Sequence, residues 1–229
     1  MTSTGFSRAR NEEQRAARAA AILATADQML TEMRVADITL NELARRVGLA
    51  KSNVLRYVES REEVLLVLLS AEFTDWIDAA EGEIAAAVDP AAPVAQRCEQ
   101  LAAGFAASLL ARPRMCELSS ASAAVLEHNI SVDTAVAFKV ATMAQLGRVI
   151  EIVQRHLPEL GPAAAAMFVQ TAALMADALW VHSRPPAAVE AAYAARPELT
   201  AMRIDMEQAL PATLAVVLAG LLARGADAG

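Results

Sequence analysis

Lys51, Ser52, Asn53 and Arg56 fall close together in the first quarter of the chain. Their side chains share one chemistry. An Asn amide can pair bidentately with adenine, a Lys ammonium can donate to guanine, and a Ser hydroxyl can donate or accept at either. Arg56, and Arg46 a little upstream, can neutralise phosphate, or can stand as solvated charges. None of these residues forms a nucleophile–base pair, so the chemistry is recognition of a nucleic acid rather than making or breaking bonds.

Such residues need a helix to carry them into the major groove and a second helix to brace it. Thr39-Leu40-Asn41-Glu42 is a capping box, in which hydroxyl and carboxylate each satisfy a free amide of a first helical turn. Gly48 ends that helix after two turns, since glycine enters the left-handed conformation without a Cβ penalty. Ala44, four residues before the glycine, supplies the small residue needed where two helices cross. Leu40, Leu43, Val47, Leu49 and Val54 fill the wedge between them. A second short helix is expected over 51–57. Ser60-Arg61-Glu62-Glu63 is a further capping box that opens a long helix reaching about Val88. Ahead of the pair, apolar residues recur at three- and four-residue spacing from about Glu12 to Met33, which predicts one more helix. Residues 1–10 read as an arm whose Arg8 and Arg10 suit the minor groove.

With these signals in hand, residues 11–65 resemble the DNA-binding domain of the TetR family of transcriptional regulators, and the run from Ile38 to Val64 follows that family's motif nearly end to end. The resemblance implies an all-α fold: an N-terminal three-helix bundle with a helix-turn-helix (1–60, arm 1–10) joined to a larger helical effector-binding and dimerisation domain (61–229). It implies that Thr39, Tyr57 and Arg61 meet backbone phosphate, Thr39 also serving as a helix cap and Tyr57 also as a wedge residue. The sequence departs from the family at Ala50, where Ser or Thr commonly caps the recognition helix. It departs again at Leu55, where a phosphate-contacting Tyr is frequent, and at Val58, which replaces a frequent Phe. The first two departures remove part of the usual phosphate clamp. A vestigial helix-turn-helix on a helical ligand carrier or enzyme is the alternative reading.

The rest of the chain reads as a helical body. Apolar residues make up 55% of the sequence but aromatics only 4%, so alanine and leucine dominate and favour closely packed helices over sheet. Helices are expected at about 94–111, 114–128, 131–157, 162–182 and 208–224, with a short one at 187–195. A linker lies at Asp89–Pro93. Phe105, Met115, His128, Phe138, Phe168 and Gln170 are candidate lining residues for an apolar effector pocket with a few polar groups. The helices at 162–182 and 208–224 are apolar over more than one stripe and so must be covered on two sides. The resemblance implies that they form a four-helix bundle across a twofold axis, presenting two heads to a palindromic operator.

Charge divides along the chain. Residues 1–61 hold ten Lys/Arg and seven Asp/Glu, whereas the remainder has a net charge of −10. A basic module on an acidic body suits a polyanionic partner. Cys98 and Cys116 stand in helical patterns with no CxxC and no neighbouring His, so neither a disulfide nor a metal site is expected, and no cofactor is implied. No signal peptide is visible. The most apolar stretches, 163–176 and 212–223, are shorter than a membrane span, so a cytoplasmic protein is expected.

Overall fold

The computed structural model describes the backbone of residues 3–122 and 125–226, and the side chains of residues 12–122 and 125–225. Among them are ten α-helices and no strand: α1 (Ser3–Glu32), α2 (Leu40–Val47), α3 (Lys51–Val54), α4 (Arg61–Ala87), α5 (Val94–Leu110), α6 (Pro113–Ser122), α7 (Val132–His156), α8 (Gly161–His182), α9 (Ala187–Ala195) and α10 (Met206–Ala226). The fold is all-α, as expected.

Several boundaries differ from expectation. α1 starts at Ser3, so residues 3–10 are helical rather than an irregular arm; no proline interrupts the run into the alanine-rich segment. The side chains of Arg8 and Arg10 lie outside the described residues. α3 is one turn long and then tightens into turns through Tyr57, where the Arg56 and Tyr57 amides donate to the Asn53 and Val54 carbonyls at 3.2 and 2.9 Å. Of the helix expected over 114–128, α6 covers Pro113–Ser122, and Leu126–His128 form a 3₁₀ turn instead of its last turn.

The chain divides into two compact units. One comprises residues 1–71 with 121–139, the other residues 72–120 with 140–229. The division therefore does not fall at residue 60. The first break between the units comes after residue 71, inside α4, and a segment far downstream joins the N-terminal unit.

In the first unit, Ile22, Ala26 and Met29 of α1 lie fully buried together with Ile38, Leu43 of α2, Val54 of α3 and Leu65 of α4. Contacts link α1 to α2 and α2 to α3. In the second unit, α10 packs on α5 and α8. Met206, Leu210, Leu214 and Leu218 stand four residues apart and form the buried stripe of α10. Trp76, Phe105 and Phe168 continue the core as edge-to-face pairs, with ring centroids 5.7 and 5.4 Å apart. The Trp76 indole N–H donates to the buried Ser108 hydroxyl at 3.1 Å, which donates in turn to the Phe105 carbonyl. Gly104 lets α5 approach α4, for a Cβ there would stand 2.8 Å from the Ala87 Cβ.

The segments 158–182 and 197–225 are, by length and composition, apolar enough to cross a membrane. Each helical segment extends past its most apolar stretch, and core helices of this length and composition pass the same test, so the expectation of no membrane span is not overturned. Met167, Leu174 and Val181 on α8 and Val216 on α10 are all more than half exposed in the single chain, so each helix keeps one apolar face uncovered.

Candidate nucleic-acid interface

The interface is built from the first unit upward. The Thr39 hydroxyl accepts from the Glu42 amide at 3.2 Å and opens α2. Gly48 closes the helix at φ 73°, ψ 29°, and its amide bonds back to the Ala44 and Arg45 carbonyls. That left-handed residue turns the chain sharply into α3. Ala44 and Leu43 are buried at the crossing, and Val54 anchors α3 from below.

Lys51, Ser52, Asn53 and Arg56 all lie exposed on or just after α3, and Tyr57 is half-buried beside them. Among the described residues, Lys51 and Arg56 take part in none of the head's ion pairs, so their charge remains available for a polyanion. Other cations of the head are already engaged. Arg45 pairs with Glu42 at 2.6 Å, and Arg46 bridges Glu42 at 2.9 Å and Glu32 at 2.6 Å. These guanidinium groups hold the Glu42 carboxyl down at about 2. Arg46 thus ties α1 to α2.

Arg61 also turns inward. Its Nη1 donates to the Ile38 carbonyl at 2.7 Å and its Nε to Glu62 at 3.1 Å, with the side chain only 18% exposed. It locks the start of α4 to the entry of α2. The structure accordingly places Thr39, Lys51, Ser52, Asn53, Arg56 and Tyr57 at the helix-turn-helix surface, while Arg61 serves the interior of the head.

The six residues put forward for an effector pocket are divided between the two units, His128 and Phe138 in the first and the other four in the second. Phe105 and Phe168 are stacked neighbours in the second unit's core, where Met115 is also buried. Phe138 is buried but belongs to the first unit. His128 and Gln170 are exposed. Gln170 fails as a lining residue because it lies on the uncovered face of α8, near Met167 and Leu174; His128 closes a surface 3₁₀ turn.

Sequence reasoning passed over Asp177 as a polar group of the body. It lies on α8, half-buried, and accepts a hydrogen bond from Ser119. Burial raises its carboxyl to about 6. Its signal was visible as a lone acid in an otherwise apolar helix. Burial and the Asp177 charge push the Cys116 thiol up to about 11, and burial raises Cys98 too. Both are free thiols acting as small core residues. Among the described residues no group of His, Cys, Asp and Glu could hold a metal ion.

A helix-turn-helix with a basic, exposed second helix, followed by a helical body, defines the class of DNA-binding transcriptional regulators. A family model described as tetracyclin repressor-like, C-terminal domain, matches residues 70–225, and the chain belongs to the TetR family. No curated protein matches the chain. Similar solved structures include the fatty acid degradation regulator FadR from Bacillus halodurans, at 13% identity over 90% of this chain and 94% of that one, with a TM-score of 0.47. A TetR transcriptional regulator from Rhodococcus sp. RHA1 is 15% identical over 90% and 95% of the two chains, with a TM-score of 0.49.

Proposed function

We propose that the chain is a homodimeric repressor that grips a palindromic operator and leaves it when a small-molecule effector occupies the helical body. The observation that carries this reading is the contrast within the head. Among the described residues, Lys51 and Arg56 stand exposed and outside the head's ion pairs at the recognition helix, whereas Arg45, Arg46 and Arg61 are engaged in contacts within the head. Asn53, Ser52 and Lys51 then meet base edges, and Thr39, Tyr57 and Arg56 position the head on phosphate.

The uncovered faces of α8 and α10 support a dimer. Met167, Leu174 and Val181 recur every seven residues, so they form one stripe, and Val216 of α10 adds to the apolar surface that a second copy covers. This accounts for two membrane-length apolar helices in a cytoplasmic regulator. For the effector, Phe105, Met115 and Phe168 supply apolar walls and Asp177 a polar anchor within the second unit. An effector that favours one of two head spacings lowers operator affinity by its differential binding. Membership of a regulator family favours this over a carrier or enzyme with a vestigial head.

The test is a footprint and anisotropy titration of the purified protein on the DNA upstream of its own coding region. Protection of two half-sites about one helical turn apart is expected. Absence of sequence-specific binding at moderate salt would sink the reading.

A further inference from the structure

Glu59, two residues after Tyr57, reaches across 72 residues of sequence to the start of α7. The Ser131 amide donates to its Oε1, and the Thr134 hydroxyl donates to its Oε2 at 2.7 Å. Ser131 is itself the cap of α7, for its hydroxyl accepts from the Thr134 amide at 3.2 Å. The Glu59 carboxylate therefore closes the first turn of a helix 25 residues long, whose free amides favour an anion there.

Glu59 is equally fixed to the head. Its own amide donates to Glu63, and the Glu63 amide donates to the Ser60 hydroxyl at 3.0 Å, making the cap of α4. Arg61 then joins that cap to the Ile38 carbonyl, one residue before the cap of α2. A continuous polar path thus runs from the start of α7 through Glu59 and the α4 cap to the entry of the helix-turn-helix. Independently, residues 121–139 belong to the same compact unit as residues 1–71, although most of α7 belongs to the other.

We infer that Glu59 is a positioning residue for DNA reading: its bonds to Ser131 and Thr134 latch the start of α7 to the DNA-reading unit and hold the recognition helix in the orientation that fits the operator. The inference rests on the DNA-binding function proposed above. A shift or rotation of α7 would break the latch and free the head. The apparent operator affinity then falls with the fraction of heads correctly posed.

The latch and simple electrostatics predict opposite signs. Removing a carboxylate beside a polyanion strengthens binding if charge alone acts. We expect Glu59→Ala instead to weaken binding of a fluorescein-labelled duplex of the footprinted upstream segment by about tenfold, as when the competent fraction falls to a tenth. Because no phosphate contact is lost, the slope of log affinity against log salt should stay unchanged. Glu59→Gln keeps an acceptor for the Ser131 amide without the charge, and should bind at or above the wild-type level. Thr134→Val should weaken binding in the same direction, and the double variant Glu59→Ala/Thr134→Val should be no worse than Glu59→Ala. Hydrogen exchange of the full-length protein should show faster exchange at the amides of Ser131 to Ala135 in Glu59→Ala. Unchanged or tighter binding by Glu59→Ala, in a wild type that does bind, overturns the latch alone, as does additivity in the double variant. A wild type that binds no operator overturns the latch together with the function on which it rests, while exchange at Ser131 to Ala135 still separates a formed contact from an absent one.

Discussion

The Arg46 guanidinium stands 2.6 Å from the Glu32 carboxylate while its Nε donates to Glu42 at 2.9 Å, so one side chain of α2 binds the end of α1 to its own helix. Arg45 adds two further bonds to Glu42. The folded head consequently holds the Glu42 carboxyl at about 2, against 4.5 in an unstructured chain, and lowers Glu32 as well. A carboxyl whose pKa is depressed on folding stabilises the fold fully above the unfolded value and ceases to do so as pH falls through the folded one. Stability of the head should thus decline between pH 4.5 and about 2. Circular dichroism across an acid titration should show that Glu42→Gln flattens this decline. An acid transition identical in wild type and variant would refute the assignment.

Lys51 and Arg61 should separate two kinds of basic residue. Lys51→Ala should weaken operator binding by about 1–3 kcal/mol with unchanged thermal stability, as for a lost base contact. Arg61→Gln leaves the Ile38 carbonyl without its donor, so it should lower the melting temperature while leaving the salt dependence of DNA binding intact. Paired melting curves and salt-dependent anisotropy check both. A drop of about one in the salt slope for Arg61→Gln would restore it as a phosphate contact.

Leu174 sits in the middle of the exposed α8 stripe, 61% accessible in the single chain. Leu174→Arg should convert a dimer to monomer in sedimentation velocity without loss of helical signal, because a charge buried in an apolar interface is costly unless paired. Operator affinity should collapse in parallel, since one head alone reads half a site. A variant that stays dimeric would move the interface elsewhere.

Gly104 and Gly82 give a packing contrast. An added methyl at 104 meets the Ala87 Cβ at 2.8 Å, whereas a Cβ at 82 has nothing within 4 Å. Gly104→Ala should therefore destabilise the protein by about 1–3 kcal/mol through overpacking. Gly82→Ala should stabilise it by about 0.5–1 kcal/mol through helix propensity. Denaturant unfolding measures both, and equal effects of like sign would refute the close approach of α4 and α5.

The helix-turn-helix was legible in the residues because its determinants are local. Thr39 with Glu42, Ala44 with Gly48, and Ser60 with Glu63 act within one or two turns of backbone, where spacing alone dictates which groups meet. The apolar stripes of α8 and α10 were legible for the same reason, since period reports which face needs cover. Partner choice over long sequence separation was not. Nothing in the spacing tells that Glu59 meets Ser131 and Thr134, that Arg61 turns inward to Ile38, or that Arg46 reaches Glu32. Nor does it tell that Gln170 lies on an outer face while Asp177, seven residues on, is half-buried against Ser119. The residue types permit all of these charges to stand in water. Only the packing of the helices brings each donor to its acceptor.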